Sequence, residues 1–363
     1  MRVIVSGGGS GGHVYPAIAV ADKVMEKDKN SKVLFIGNKV GVEEELVPRT
    51  GYEFKMVKAR WFDRSNPLDA VIMVRDVLRG ARQALKIMKE FKPDVVIGTG
   101  GYAAVPVVLA GYKYGAKTFI QEQNAYPGMA NKLLSRFADK IFLGFDYAEK
   151  YFKQKKKLVT CGNPVRKQFF VADKDQCRKE LGIPKDDFVA FILGGSQGAE
   201  ALNEACFGLL KEMNGNEGMS LIFATGDQYF DEVMGKIKDQ GIKLEKNILM
   251  RGFMDDIEKY MAASDLVIER SGALSVAETS ACGKAAIYVP SLNVTANHQY
   301  YNAKAVTDKG GAIIIEETDL TPEKIVKEVF RIKDDKELLE KMCKASKEYA
   351  SRDATDIIYS YFL

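Results

Sequence analysis

The sequence predicts an α/β protein built from two doubly wound parallel-sheet halves. Each half contains a glycine-rich turn, 6–13 in the first and 194–199 in the second, that follows a short apolar run and precedes a helix-like stretch. Glycine lets backbone N–H groups approach a phosphate closely, and the N-terminus of the following helix adds favourable partial charge. We therefore expect an anionic or sugar-phosphate ligand between the two halves.

The length and the order of the predicted elements support this fold class. At 363 residues the chain is long enough for two domains of roughly 150 residues each. Short apolar runs alternate with amphipathic stretches, which is typical of parallel sheets covered by helices on both faces. The predicted strands are Val3–Val5, Val33–Ile36, Val95–Ile97, Lys117–Ile120, Lys140–Leu143, Val189–Leu193, Leu221–Ala224, Leu266–Ile268 and Ala285–Val289.

The alternation pauses near the middle of the chain. A Gly-Asn-Pro turn within 161–166 is a natural hinge, and a polar stretch follows it. We therefore predict a first domain at 1–163 and a second at 164–340. The C-terminal segment 341–363 is predicted to be helical, and because it ends in aromatic residues we expect it to pack back on the first domain.

The composition excludes several classes of protein. The five cysteines form no C-x-x-C pair and no metal-ligand spacing, so neither a disulfide framework nor a zinc site is expected, and a reducing cytosol fits best. A net charge of +4 is too small to indicate nucleic-acid binding. We expect neither an export signal nor a membrane span, since no charged leader opens the chain and no stretch approaches roughly 18 apolar residues.

The first glycine-rich turn also fits a dinucleotide-binding pattern, Gly7-x-Gly9-x-x-Gly12. An NAD site would need an acidic residue at the end of the second strand. That strand is followed by Gly37, Asn38 and Lys39, with no carboxylate. No Gly-Lys-Ser/Thr follows either glycine run, which excludes a Walker loop. A nicotinamide cofactor and a P-loop are therefore not expected.

Two groups in the first half are candidate general bases. His13, one of only two histidines, lies at a loop-to-helix junction, where its side chain can remove a proton or position a substrate hydroxyl. Glu122 lies within the polar run 121–124, which follows a predicted strand at the edge where parallel sheets bind ligands. The alternative for Glu122 is a buried structural carboxylate.

In the second half, Glu278 lies one turn inside the helix that follows the run 270–273, well placed to accept two hydrogen bonds from a ribose diol. Together with six other motifs, this run resembles the MurG family, the peptidoglycan N-acetylglucosaminyltransferases of glycosyltransferase family 28 that convert lipid I to lipid II. The resemblance covers nearly the whole chain. Its motifs, in order, are 8–13, 98–102, 122–124, 162–166, 194–199, 270–273 and 297–299.

The resemblance implies a GT-B architecture, in which two Rossmann-like domains enclose a deep cleft and UDP-N-acetylglucosamine (UDP-GlcNAc) sits mainly on the second. It places Met254 at the uracil, Glu278 at the ribose and 273–275 at the diphosphate. The implied donor residues are Ser10, Gly11, Gly12, Asn124, Arg166, Ser196, Met254, Ala273, Leu274, Ser275, Glu278, His298 and Gln299. The acceptor diphosphate would meet Gly8, Gly9, Gly100, Gly101 and Tyr102.

The expected reaction is an inverting transfer of N-acetylglucosamine to the C4 hydroxyl of the muramyl sugar. It requires a base and stabilisation of the charge that grows on the leaving diphosphate. No Asp-x-Asp pair lies beside the donor motifs, and the adjacent Asp255 and Asp256 are expected to cap a helix. We therefore expect no metal and no cofactor. Backbone amides of 195–198 and 272–275, with Arg166, would replace them.

Lipid I, the expected acceptor, carries a polyprenyl chain, so the enzyme would work at a membrane. The stretch 71–88 mixes apolar residues with arginines and lysine and would suit the anionic inner-leaflet surface, which predicts a peripheral protein on the cytoplasmic face of the cell membrane. Other cell-wall synthesis proteins are further candidate partners. Two alternatives stay open: another GT-B enzyme that uses a UDP-sugar, such as a glycolipid glycosyltransferase or a UDP-GlcNAc 2-epimerase, and a non-catalytic sugar-nucleotide-binding or scaffold protein.

Overall fold

The computed structural model describes residues 1–38, 41–60, 67–195, 198–350 and 354–363. The chain divides into two compact units. The first unit comprises Met1–Arg166 together with Arg352–Leu363, and the second comprises Lys167–Ser351. The first boundary therefore falls three residues after the predicted one.

Within the described part of the first unit, seven parallel strands form one sheet in the order β3-β2-β1-β4-β5-β6-β7. The order reverses between β1 and β4, where the chain changes direction across the sheet. The strands are β1 (Arg2–Ser6), β2 (Lys32–Gly37), β3 (Glu53–Met56), β4 (Val95–Gly98), β5 (Lys117–Glu122), β6 (Lys140–Leu143) and β7 (Leu158–Thr160).

In the described part of the second unit, six parallel strands form a sheet in the order β10-β9-β8-β11-β12-β13. Its order reverses between β8 and β11. The strands are β8 (Phe188–Leu193), β9 (Met219–Ala224), β10 (Ile248–Arg251), β11 (Leu266–Glu269), β12 (Ala285–Tyr288) and β13 (Ala312–Ile314).

Helices cover both faces of each sheet, as the alternation of strands and helices requires. In the first unit they are α1 (Gly11–Lys27), α2 (Glu43–Arg49), α3 (Pro67–Phe91), α4 (Gly101–Tyr114) and α5 (Met129–Leu134). In the second unit they are α6 (Gln168–Val171), α7 (Lys174–Leu181), α8 (Glu200–Met213), α9 (Asp227–Asp239), α10 (Ile257–Ala263), α11 (Ala273–Ala281), α12 (His298–Thr307), α13 (Pro322–Asp334) and α14 (Lys336–Tyr349). The last helix, α15 (Ala354–Ser360), belongs to the first unit. None of the helices in the described ranges combines the length and the apolar character needed to span a membrane.

Central strands are buried because their residues are almost all apolar. Val3, Ile4 and Val5 of β1 are fully buried, and β1 pairs residue by residue with β2 on one side and β4 on the other. Continuous β-branched runs of this kind fit a strand that is covered on both faces. The loops after such strands are thereby held on a rigid frame.

The C-terminal segment differs from the predicted unit 341–363. Residues of α14 stay with the second unit, because Leu338, Leu339 and Met342 pack into its core. Helix α15 lies against α1, with Ile358 fully buried. The Phe362 ring stacks on Phe119 in the same unit, with centroids 5.3 Å apart.

Candidate functional site

Both glycine-rich turns lie where the strand order of their own sheet reverses. In the first unit the turn after β1 lies beside the loop after β4, and in the second unit the turn after β8 lies beside the loop after β11. At such switch points neighbouring loops run to opposite sides and leave a crevice that binds ligands. The fold therefore presents one candidate ligand-binding crevice in each unit, and we describe the two separately.

His13 is oriented by the first glycine-rich turn. Its backbone N–H donates to Ser10 O at 3.1 Å, in the first turn of α1. The ring Nδ1 lies 3.1 Å from the carbonyl oxygen of Gly8 and 3.2 Å from Ser10 Oγ. A carbonyl oxygen only accepts hydrogen bonds, so this contact requires a hydrogen on Nδ1. The neutral ring then carries its lone pair on Nε2, the atom that could accept a proton.

The loop after β4 packs directly on this turn. Gly100 and Gly101 have φ values of +105° and +75°. A Cβ at Gly100 would lie 2.7 Å from His13 Cδ2, and one at Gly101 would lie 2.0 Å from Gly8 O. The Thr99 hydroxyl donates to His13 O at 2.6 Å. Glycine is therefore required here by the close approach of the two loops, whatever ligand they bind.

Glu43, which sequence reasoning missed, is a buried carboxylate beside the first glycine-rich turn. Its Oε2 accepts from Gly9 N at 2.9 Å, and its Oε1 accepts from Asn38 N at 3.2 Å. A Cβ at Gly8 would lie 2.2 Å from Oε1, so Gly8 leaves room for this carboxylate. The acceptor-diphosphate role of Gly8 and Gly9 stays a prediction, with the Gly9 amide engaged inside the protein. Tyr102, another residue predicted to meet the acceptor diphosphate, is half-buried, and the Tyr102 ring lies against Gly9.

Glu122 ends β5 fully buried, with both oxygens hydrogen-bonded. Oε1 accepts from Asn124 N at 2.9 Å and from Asn124 Nδ2 at 3.3 Å. Oε2 accepts from Gly128 N and Asn131 Nδ2, each at 2.9 Å. Burial raises the pKa of Glu122, and these four hydrogen bonds oppose that rise. The carboxylate thus organises the loop after β5, and its catalytic role stays a prediction.

A chain of buried amides ties this loop to its neighbours. Gln121 Nε2 donates to Asn163 Oδ1 at 3.0 Å, and Asn163 Nδ2 donates to Gln123 O at 3.0 Å. Gln123 Nε2 donates to Thr99 O at 2.5 Å. The loops after β4, β5 and β7 are thereby held together. Arg166, a predicted donor residue, lies with its Cζ 5.2 Å from the centroid of the Tyr15 ring.

In the second unit, Gly195 and Gly198 of the glycine-rich turn differ in the space around them. Ser196 lies outside the described residues. Gly198, with φ of +73°, would place a Cβ 2.6 Å from Thr225 O, whereas a Cβ at Gly195, with φ of +86°, would meet none of the described residues within 4 Å. Gly198 therefore serves packing. Gly195 has space beside its backbone among the described residues, which suits the close approach of a ligand.

The loop after β11 leads into α11 at the predicted diphosphate and ribose residues. Ala273 and Leu274 are buried and Ser275 is half-buried. Amides in the first turn of a helix have no acceptor within the helix, so they suit an anion. Glu278 lies one turn later and is half-buried. Arg270 is held by Glu317 at 2.6 Å, which fixes the start of this loop.

A second buried carboxylate lies directly beneath this loop. Glu269 is fully buried and its Oε1 accepts from the Thr279 hydroxyl at 2.5 Å, but its Oε2 has no partner among the described residues. Burial raises the pKa of Glu269 to about 8. Sequence reasoning ended the strand at Ile268 and missed this residue. Tyr288, its register neighbour on β12, is also fully buried.

Of the other predicted donor residues, Gly11 and Gly12 open α1 in the first unit, and three lie at the same edge of the second sheet as the loop after β11. Met254 follows β10 and is buried. His298 and Gln299 open α12 after Asn297, whose φ is +51°. The Gln299 side-chain oxygen accepts from Ser291 N at 2.9 Å, so it also shapes its own loop.

The prediction that Asp255 and Asp256 cap a helix is right about the position of the helix but wrong about the capping hydrogen bond. Helix α10 does begin directly after Asp256, but the Asp256 side chain makes no capping hydrogen bond. Its backbone, with φ of −90° and ψ of 58°, departs from the extended conformation that directs a cap toward the helix amides. Within the described ranges, no three His, Cys, Asp or Glu side chains come together as ligands for a metal.

The predicted membrane stretch on α3 divides into an exposed and a packed part. Val74 and Leu78 are 53% and 54% exposed. Exposed arginines surround them, at positions 75, 79 and 82. Leu85 and Ile87 instead pack against the core with the fully buried Met88. An apolar and basic surface is thus present near the middle of α3.

The two parallel sheets, each with a crevice where its strand order reverses, define a doubly wound α/β protein, and comparisons with known proteins specify its family. The glycosyltransferase family 28 N-terminal domain matches residues 3–143, and the C-terminal domain of the same family matches residues 189–358. The chain therefore belongs to glycosyltransferase family 28, and it is a glycosyltransferase.

Full-length relatives carry a more specific name, "UDP-N-acetylglucosamine--N-acetylmuramyl-(pentapeptide) pyrophosphoryl-undecaprenol N-acetylglucosamine transferase". The protein of Acetivibrio thermocellus is 41% identical over 99% of this chain and 96% of its own length. That of Clostridioides difficile is also 41% identical, over 99% and 88%. The crystal structure of Acinetobacter baumannii MurG superposes with a TM-score of 0.75 at 28% identity and covers 99% of both chains. The predicted family and two-sheet fold are thereby confirmed.

Proposed function

We propose that this enzyme transfers N-acetylglucosamine from UDP-GlcNAc to lipid I, undecaprenyl-pyrophosphoryl-N-acetylmuramyl-pentapeptide, and so forms lipid II for peptidoglycan. The names of its full-length relatives state this donor and this acceptor. The observation that carries the chemistry is His13, whose Nδ1 contact with Gly8 O leaves Nε2 as the proton acceptor.

In the proposed reaction, His13 Nε2 removes the proton of the muramyl C4 hydroxyl as that oxygen attacks the anomeric carbon of the donor. The bond from this carbon to UDP breaks, and the configuration inverts from α to β. Charge grows on the leaving diphosphate and is stabilised by amides near Gly195 and at the start of α11, with Arg166. No metal ion is needed in this scheme.

Glu122 is the less favoured base. Four hydrogen bonds to its carboxylate would have to weaken before it could accept a proton from a substrate. A carboxylate whose two oxygens are both hydrogen-bonded within the protein is suited to stabilising the loop after β5.

We also propose that the enzyme works peripherally at the cytoplasmic face of the cell membrane. The exposed Val74 and Leu78, with the arginines around them, would contact the anionic leaflet that holds the acceptor. Other cell-wall enzymes are proposed as neighbours there.

The test is an assay of purified enzyme with labelled UDP-GlcNAc and a short-chain lipid I analogue. We expect a disaccharide-linked lipid and UDP. His13→Ala should lower kcat by roughly 10²–10⁴ with donor KM nearly unchanged, and Glu122→Gln should act mainly on stability. Conversion of UDP-GlcNAc alone to its manno epimer would contradict the proposal and favour an epimerase. Full activity of His13→Ala would exclude His13 as the base.

A further inference from the structure

One peptide group connects Glu43 to His13. The N–H of Gly9 donates to Glu43 Oε2 at 2.9 Å, and the carbonyl of Gly8 accepts from His13 Nδ1 at 3.1 Å. Both groups belong to the peptide bond between Gly8 and Gly9. Because this bond is trans, its N–H and C=O point in opposite directions, one toward the carboxylate and one toward the imidazole.

The fold makes a dedicated place for the Glu43 carboxylate. Glu43 is fully buried, although it is the first of three consecutive glutamates at the start of α2. Its side chain fills space that three glycines leave open, since a Cβ at Gly8, Gly37 or Gly41 would lie 2.2, 2.9 or 2.3 Å from it. Its neighbour Glu44 is exposed. The burial is therefore specific to one glutamate.

A carboxylate that accepts an N–H polarises the peptide and makes the carbonyl at its other end a stronger acceptor. A stronger acceptor at Gly8 O favours the hydrogen on Nδ1 of His13. Carboxylates in direct contact with histidine fix tautomer and orientation in the same sense. Here a peptide group transmits the effect.

We propose that Glu43 is a positioning residue for His13, acting through the Gly8–Gly9 peptide to hold the imidazole with Nε2 as its proton acceptor. This inference rests on the proposed role of His13 as the base and adds the group that orients it. Around His13, Ser10 Oγ also lies 3.2 Å from Nδ1, the ring packs against Gly100, and the Thr99 hydroxyl donates to the His13 carbonyl oxygen.

The test uses Glu43→Gln, which keeps the shape but loses the charge and one of the two acceptors. Because the chain has only two histidines, ¹⁵N imidazole NMR of the full-length protein resolves His13, with His298 as the internal reference. In wild type we expect the Nδ1–H tautomer. In the variant we expect a shift toward mixed tautomers and a kcat lower by roughly 10-fold, the low end of the loss on removing an orienting partner. Donor KM should not change.

Glu44→Gln is the matched control, since it makes the same chemical change on the exposed face of α2. It should leave the His13 ¹⁵N shifts and kcat as in wild type. Unchanged His13 shifts in Glu43→Gln overturn the proposal, whether or not kcat falls, because a fall alone would mean that Glu43 only supports the loop. If the tautomer shifts while His13→Ala keeps full activity, the connection stands and the base assignment fails.

Discussion

Glu269 and Thr279 share a 2.5 Å hydrogen bond inside the second unit, joining the end of β11 to the helix that carries Glu278. Burial raises the pKa of Glu269 from 4.5 to about 8. The unfolded chain therefore releases this proton at lower pH than the folded protein does. The contribution of Glu269 to the free energy of unfolding is therefore fully present below pH 4.5 and is lost as the pH rises toward 8. Between these values the free energy of unfolding falls by up to about 1.4 kcal/mol per pH unit.

Glu269→Gln should remove this slope, because an amide does not titrate. We expect the free energy of unfolding of the variant, relative to that of wild type, to rise between pH 5 and pH 8. Urea unfolding at a series of pH values measures this difference. Glu217→Gln, on an exposed loop, is the control. Parallel pH curves for Glu269→Gln and wild type would mean that Glu269 is ionised in the folded protein.

The strands that sequence reasoning missed are the edge strands of the two sheets. In the described residues they are β3, β7, β10 and β13. An edge strand has a neighbour on one side only, and these are short and only partly buried, as in the exposed and half-buried Glu53–Met56. Their sequences therefore lack the continuous apolar runs that predicted the central strands.

The glycine-rich loops of the candidate sites can be predicted from the sequence, because a close approach of backbones requires glycine. Side chains whose role depends on burial cannot. The glycine-rich turns at 6–13 and 194–199 are recognisable in the sequence because glycines cluster there. Glu43 and Glu269 were missed, since an acidic residue at a helix start or a strand end is usually solvated. Glu43 differs from its neighbours in its tertiary contacts. Three glycines pack around it, and it accepts hydrogen bonds from Gly9 N and Asn38 N.

Glu278→Ala tests the predicted ribose contact. Removing one partner of a charged hydrogen bond should weaken UDP-GlcNAc binding by ~2–4 kcal/mol. Isothermal titration calorimetry of the folded variant measures this. Glu212→Ala, exposed on α8, should bind the donor like wild type. Equal donor affinities for wild type and Glu278→Ala would remove Glu278 from the donor site.

Removing metal ions should leave the chemical step largely intact, because the proposed scheme assigns the diphosphate charge to amides and Arg166. The measurement is a single-turnover rate with excess chelator, compared with the rate after Mg²⁺ is restored. A rate that collapses in chelator and returns with Mg²⁺ would show that the reaction uses a metal.

Gly195 and Gly198 form a matched pair, since both have positive φ but only Gly198 is crowded. Gly198→Ala should lower stability by ~2–5 kcal/mol from backbone strain and overlap with Thr225 O. Gly195→Ala should lower it by only ~1–2 kcal/mol, yet it should weaken donor binding. Thermal unfolding and donor titration measure the two effects. Unchanged donor affinity in Gly195→Ala would show that the open position faces no ligand.

Val74→Ser with Leu78→Ser tests the membrane surface on α3. Losing two exposed apolar side chains should reduce binding to vesicles of anionic phospholipid by at least ~10-fold, with little change in stability. Vesicle sedimentation measures the bound fraction. Val171→Ser, which is 64% exposed in the second unit, is the control. Equal binding by the double variant and by the control would place the membrane contact elsewhere.

The return of α15 to the first unit affects the order in which the protein can fold during synthesis. Ile358 and Phe362 complete the core beside α1, and Asp356 pairs with Lys23 at 3.0 Å. The ribosome must therefore deliver the entire second unit before the first can close its core. A nascent chain that ends near Arg166 would expose an apolar patch to chaperones. Deletion of residues 354–363 should therefore destabilise the first unit.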